Sequence, residues 1–131
     1  MHTLNVKTHR RNELIDITDK IDRLVAQSPQ PAGIVTVFVP HTTAGVTINE
    51  NADPDVVHDL LLTFEDLIPQ HNPGYRHGEG NSDAHAKATL VGSSASILFE
   101  NHRLNLGTWQ ALYFCEFDGP RTRKVFVHIS P

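Results

Sequence analysis

The sequence is poor in several residue types, and each shortage excludes a class of protein. A single cysteine, Cys115, means that no disulfide can form within the chain. Basic residues are not in excess: 11 Lys and Arg stand against 15 Asp and Glu. We therefore expect no nucleic-acid partner. The one basic cluster, Arg121, Arg123 and Lys124, is interpreted as a solvated hairpin end, with a phosphate or partner contact as the alternative.

No apolar run is long enough to form a transmembrane helix, and the N-terminal residues do not resemble a signal peptide. We therefore expect a cytoplasmic protein with no membrane partner. The composition, 39% apolar and 20% charged, is typical of a globular protein, and 131 residues fit one domain over residues 1–131. The unusual count is nine histidines, which motivates a search for metal ligands.

Apolar and polar residues alternate over 3–8 and 13–18, which predicts two strands joined as a hairpin. Residues 33–39 are nearly all apolar and β-branched, as in a strand that is buried on both faces. Residues 43–48 predict a second strand directly after it, in a hairpin or a bulged corner.

Helical spacing predicts a short helix after Thr18 and a long helix over 54–68, which begins with Asp53 as its cap and Pro54 as its first residue. It also predicts a third helix from a Ser82 or Asp83 cap to Gly92. Three further strand signals predict an antiparallel meander over residues 96–100, 106–117 and 122–129. About seven strands and three helices without βαβ alternation indicate an α+β fold. In that fold, a mixed, mostly antiparallel sheet is expected to curl into a barrel.

The long polar loop over 70–82 and the residues that follow it predict a functional site. Residues 77–85 contain two histidines, two carboxylates and two glycines, with almost no apolar side chain. His77 and His85 flank this stretch, and His41 stands where a buried strand ends. Three histidines that face one cavity would form an open site for zinc or a similar divalent ion.

Each of these histidines also has a purely structural alternative. His41 could cap a strand end, His77 could be a solvated loop residue, and His85 could be an ordinary residue of a first helical turn. The other six histidines are interpreted as surface or core residues, with His71 as the next candidate ligand because it shares the loop.

Three carboxylates are candidates for a fourth ligand or a general base: Glu79, Asp83 and Glu116. Glu116 lies inside the apolar run 113–117, where a buried carboxylate needs a partner; the alternative is an edge strand that faces water. Cys115 is interpreted as a buried thiol and not as a nucleophile.

Polar residues near these positions predict contacts to a bound molecule. Asn49 follows the second strand and is expected to line the cavity. Ser93 and Ser94 offer hydroxyls and backbone donors for a phosphate, or they form a turn. Trp109, with Gln110 beside it, is interpreted as a core residue or as a platform for a ligand.

Several ordered motifs together resemble the YjbQ-like family. They are PHTTA (40–44), TINENADPDV (47–56), HGEGNSDAH (77–85), LVGSS (90–94) and LGTWQ (106–110). The resemblance covers nearly the whole chain. It implies an α+β barrel, a homotrimer and a histidine-rich pocket with a divalent ion, and His41, His77 and His85 fall on the family's histidine positions.

The family is labelled a secondary thiamine-phosphate synthase, so the resemblance implies that a pyrimidine diphosphate is joined to a thiazole phosphate. Two hypotheses follow. In one, a metal-dependent enzyme acts on a small phosphorylated molecule, using zinc, or Mg²⁺ if the substrate is a diphosphate. In the other, the chain is a non-catalytic homotrimer that binds a divalent metal or a small ligand.

Overall fold

The computed structural model describes residues 1–131, which form eight strands and three helices. The strands are β1 (His2–Lys7), β2 (Glu13–Asp16), β3 (Gly33–Phe38), β4 (Ala44–Glu50), β5 (Ser94–Glu100), β6 (Arg103–Leu104), β7 (Gln110–Glu116) and β8 (Thr122–Ser130). The helices are α1 (Thr18–Ala26), α2 (Pro54–Leu67) and α3 (Ser82–Val91).

The strands form two sheets, and every pairing in them is antiparallel. Sheet A has the order β1-β8-β3-β5-β6 and curls into a half-barrel, and sheet B has the order β2-β7-β4. The main core contains apolar residues of both sheets and of α1. A smaller cluster joins α3 to the other face of β7. The α+β fold expected from the sequence is confirmed.

Two strand pairings differ from those expected. Strands β1 and β2 do not form a hairpin, because β1 pairs with β8 and β2 pairs with β7. The expected meander at the end of the chain is also wrong, since β7 lies in sheet B while β5 and β8 lie in sheet A. Alternation identifies a strand and its buried face, but it carries no information about which strand lies beside it.

Strand β3 is buried on one face only, and the expectation that both faces are buried is wrong. Val35 and Val37 are fully buried, whereas Ile34 and Phe38 are about two-fifths exposed. Residues 39–43 then carry the chain from sheet A to sheet B, which is the corner alternative and not a hairpin. This corner holds His41.

Helix α2 begins as expected, with Pro54 as its first residue and the Asp53 carboxylate accepting the backbone N–H of Asp55 at 2.9 Å. Its apolar stripe is nevertheless only half covered, and none of its residues is fully buried. Helix α3 is preceded by Asn81, so neither Ser82 nor Asp83 is its cap. None of the three helices combines the length and the apolar character that a membrane span requires.

Cys115 is fully buried in β7, and this burial raises the pKa of its thiol to about 12. A thiol with such a pKa is not ionised near neutral pH, so the expected inert, buried cysteine is confirmed.

Candidate functional site

A polar cavity of about 720 Å³ lies where the 39–43 corner, the loop before α3 and the start of β8 meet. Of its 14 lining residues, only two are hydrophobic, which favours a polar or charged ligand over an apolar one. Five of the residues expected at the site line it together: His41, His77, Glu79, His85 and Ser93.

Arg121 and Arg123 also line this cavity. Arg123 is only 5% exposed, so its interpretation as part of a solvated hairpin end is wrong. A signal for this was present in the sequence, because Arg123 shares strand parity with Val125 and Val127, which face the core. The charge of the cluster alone does not indicate this burial, whereas the alternation of side chains along the strand does.

His41 is fixed by a backbone contact from β8. Its Nε2 accepts the N–H of Lys124 at 2.9 Å. An imidazole nitrogen that accepts carries no proton, so a neutral His41 has its proton on Nδ1. Burial and, next, the positive charge of Arg123 lower the pKa of His41, which favours this neutral form.

His77 and His85 lie against each other, with their ring centroids 5.5 Å apart in an edge-to-face arrangement. His85 is carried by α3, and His77 lies in the preceding loop, with Nε2 3.9 Å from Oε1 of the exposed Glu79. The three histidines share a cavity, but no three His, Cys, Asp or Glu side chains are grouped closely enough to hold a metal ion. The cavity thus contains a histidine pair and a separate, fixed His41.

Asp83 lies behind the cavity and does not line it. Its carboxylate is fully buried and pairs with Arg11 through two hydrogen bonds of 2.9 and 3.0 Å. Lys87, which is 1% exposed, donates to the same carboxylate at 2.8 Å and to Glu65 at 2.8 Å. This network joins α3 to α2 and to the β1–β2 connection, so it positions the helix that carries His85.

Burial alone would raise the pKa of Asp83, but the hydrogen bonds from Arg11 and Lys87 lower it to about 2. The carboxylate is therefore ionised throughout the physiological range, and no free lone pair of it reaches the cavity. We interpret Asp83 as a positioning residue and not as a proton carrier.

Glu116 is also fully buried, at the cavity end of β7. It accepts hydrogen bonds from Arg123 and, at 2.8 Å, from the Thr8 hydroxyl. The backbone N–H groups of Phe117 and Asp118 each donate to it at 3.1 Å. Burial, the largest single influence, opposes the ionisation of Glu116, but the hydrogen bonds from Arg123, the Asp118 backbone and Thr8, with the charge of Arg123, together outweigh it and lower the pKa. Glu116 is therefore a buried carboxylate whose charged partner is Arg123, as its place in an apolar strand predicts.

The remaining residues expected to bind a ligand do not line the cavity: Asn49, Ser94, Trp109 and Gln110. In sheet B, Ala44 lies opposite Glu116 at the cavity end, and Glu50 lies opposite Gln110 at the other end. Six residues of a strand span about 20 Å, so this second end is remote from the cavity within one chain.

The polar lining residues that the sequence did not indicate are Thr42, Thr43, Asn81 and Asp118. Asn81 donates to an Asp118 carboxylate oxygen at 2.9 Å, while its own side-chain oxygen is buried without a partner. Both threonines and Asn81 lie inside motifs already singled out, but a short polar side chain has no distinctive spacing that would mark it.

Fold and site together define a small α+β protein with a histidine- and arginine-lined polar cavity. The chain belongs to the YjbQ-like family: the model of the UPF0047 protein YjbQ-like family matches residues 2–131. UPF0047 protein YugU of Bacillus subtilis is 49% identical over 127 residues, covering 97% of this chain and 96% of that protein. A UPF0047 protein of Methanocaldococcus jannaschii is 51% identical over 124 residues, covering 95% of this chain and 89% of that protein.

Solved structures of the family have the same fold. An uncharacterized conserved protein from Clostridium acetobutylicum has a TM-score of 0.96 and 52% identity, over 99% of this chain and all of that one. A conserved hypothetical protein from Thermus thermophilus has a TM-score of 0.93 and 43% identity, with the same coverage.

Replacing Asp83→Asn should destabilise the fold by about 3 kcal/mol or more, because it leaves Arg11 and the buried Lys87 without their shared carboxylate. Asp66→Asn is the control, since Asp66 is exposed on α2 and should change stability by about 0.5 kcal/mol at most. Urea unfolding at one fixed protein concentration measures both variants. Equal midpoints for the two would show that the network does not support α3.

The same experiment has a pH dependence with a defined sign. The pKa of Asp83 is lower in the folded state than its ordinary value of 3.8. The ionised carboxylate therefore contributes about 2 kcal/mol to the free energy of unfolding, and this contribution is fully present above pH 3.8. The contribution is lost as the pH falls through about 2. The stability difference between wild type and Asp83→Asn should therefore shrink over this acid range, whereas that of Asp66→Asn should not.

Proposed function

We propose that the cavity binds a small phosphorylated molecule. The observation that carries this proposal is the buried cation of Arg123 on the wall of a polar cavity that also contains Arg121 and His41. The planar guanidinium group of arginine matches the geometry of phosphate oxygens, and it stays positively charged at every physiological pH. A buried guanidinium at a polar cavity favours an anionic ligand over a neutral one.

His77 and His85 are the groups we propose for proton transfer to such a ligand, because both line the cavity and neither is tied to a buried partner. Glu79 is the one carboxylate of the expected three that faces the cavity. Formation of thiamine phosphate from a pyrimidine diphosphate and a thiazole phosphate stays a prediction, as does the non-catalytic alternative. Both expected substrates carry the phosphate that the cavity would recognise.

Titrating pyrophosphate into ¹⁵N-labelled protein should shift the backbone amide resonances of residues 39–43, 77–85 and 118–123. Residues 105–110 at the far end of sheet B should not shift, and they serve as the internal control. His85→Ala should keep the fold and change the pattern around His77. Shifts confined to the far end, or none at millimolar pyrophosphate, would contradict the proposed cavity function.

A second candidate is a divalent ion, zinc or Mg²⁺, at the His77–His85 pair. The contact of the two rings favours it, because a centroid separation of 5.5 Å is one that two imidazoles bound to the same zinc ion can adopt. Ligand oxygens or water would complete the coordination. A bound ion would supply charge to a nearby phosphate. His41, the third expected ligand, has its Nε2 engaged by Lys124.

Zinc titration by calorimetry tests this second candidate. His77→Ala and His85→Ala should each weaken zinc binding by at least roughly tenfold, the effect typical of losing one ligand or its orientation. His58→Ala, at an exposed histidine of α2, is the matched histidine control. Equal affinity in all four proteins would place any bound zinc elsewhere.

We also propose that the chain assembles as a homotrimer. The uncovered face of sheet A supports an assembly, since Ile34 and Phe38 are about two-fifths exposed and Leu98, which lies opposite Ile34, is 62% exposed. Apolar side chains grouped on one face are typical of protein interfaces.

Light scattering should give a mass three times that of the 14.6 kDa chain. Leu98→Asp should reduce that mass, because a carboxylate on the apolar face opposes its burial. Leu90→Asp, at an equally exposed leucine of α3, should leave it unchanged. A wild-type protein with the mass of a single chain contradicts the assembly.

A further inference from the structure

Arg123 donates three of its five N–H groups to acceptors within the protein. Its Nε donates to Oε1 of Glu116 at 2.8 Å, and its Nη2 donates to Oε2 of the same carboxylate and to the Thr43 hydroxyl at 2.9 Å. The two hydrogens on Nη1 have no partner in the protein. The polar atoms that are buried without a partner do not include Nη1, so this atom is accessible. Arg123 itself lines the cavity.

The orientation of this guanidinium is fixed by a second layer of contacts. Glu116 accepts from Thr8 and from two backbone N–H groups in addition to Arg123, so its carboxylate cannot turn. Burying an ion pair costs solvation, and a pair that only stabilised the fold could be replaced by apolar side chains. Here the pair leaves one edge of the guanidinium free, and that edge belongs to a residue of the cavity wall.

His41 supplies a second fixed donor to the same cavity. Because the N–H of Lys124 occupies Nε2, the proton of the neutral ring lies on Nδ1, for which the structure gives no protein acceptor. Lys124 directly follows Arg123 in β8, so one strand sets both groups. Two donors without acceptors on a polar wall are arranged for the oxygens of an anion.

We infer that Nη1 of Arg123 and Nδ1 of His41 form the subsite for the phosphoryl group of the ligand, with Glu116 as the positioning residue for Arg123. This inference rests on the proposed binding of a phosphorylated molecule and adds which atoms hold the phosphate. It also separates His41 from the histidine pair, since a ring that donates through Nδ1 and accepts through Nε2 has no nitrogen left for a metal. The cavity is then divided into an anion end at Arg123 and His41, and a histidine end at His77 and His85.

Calorimetric titration of the full chain with inorganic phosphate and pyrophosphate tests the subsite. Arg123→Gln should weaken the binding of both roughly 10- to 100-fold, as expected for the loss of charge-assisted hydrogen bonds. Arg123→Lys should not restore it, because a lysine cannot reach the carboxylate and the ligand with one planar fork. Arg103→Gln, at the exposed edge of sheet A, is the matched control and should bind as the wild type does.

Arg123→Gln leaves Glu116 buried without its cation, so the variant could fail to fold. The double variant Glu116→Gln with Arg123→Gln removes both charges, so that no buried charge is left without a partner. If the folded double variant binds phosphate as tightly as the wild type, the inference is overturned.

Nitrogen-15 spectra of the wild-type arginine side chains give a test without any variant. Phosphate should shift the Nη1 resonance of Arg123 and leave that of Arg103 in place. An unmoved Arg123 resonance, together with shifted backbone amides around the cavity, would overturn the subsite and leave the proposed function standing. If phosphate shifts neither the Arg123 resonance nor the backbone amides around the cavity in the wild type, both the subsite and the proposed function are contradicted.

Discussion

The buried ion pair between Glu116 and Arg123 is the interaction on which the site depends. Glu116 belongs to β7 in sheet B, and Arg123 belongs to β8 in sheet A. Their hydrogen bonds join the two sheets at one end, and Thr8 and Thr43 add the ends of two further segments to the same pair. Since each charge is almost completely removed from water, neither can lose its partner without a large cost in the free energy of folding. The cavity is therefore lined by a cation whose position is set by the fold itself.

A second buried network acts on the opposite wall. Asp83, with Arg11 and Lys87, fixes α3, which carries His85 into the cavity. Two of the carboxylates considered as catalytic groups are thus fully buried in ion pairs that hold other residues in place. Catalysis by proton transfer would need a group that faces the ligand, and of the catalytic and metal-binding residues expected from the sequence, His41, His77, Glu79 and His85 line the cavity. Buried ion pairs thus hold the cavity wall in place behind the side chains that line it.

Much of this could be predicted from the sequence, because the signals were local. Strand alternation, the Asp53–Pro54 helix start and the polar stretch over 77–85 each depend on neighbouring residues. The strand pairings could not be predicted, since they join β1 to β8 and β2 to β7 across most of the chain. The same limit hid Arg123: an arginine is usually solvated, and only its partner on another sheet makes its burial favourable. That Glu116 needed a partner was evident, but the identity of the partner was not.

The central claim is that the ion pair presents a free guanidinium edge to an anion, and a crystal structure with tungstate tests it most directly. Tungstate is a heavy analogue of phosphate whose anomalous signal locates it without ambiguity. We expect one site with oxygens about 3 Å from Nη1 of Arg123 and from Nδ1 of His41. Tungstate bound at the exposed Arg121 or Lys124 alone, with the free edge of Arg123 facing only water, would contradict the account.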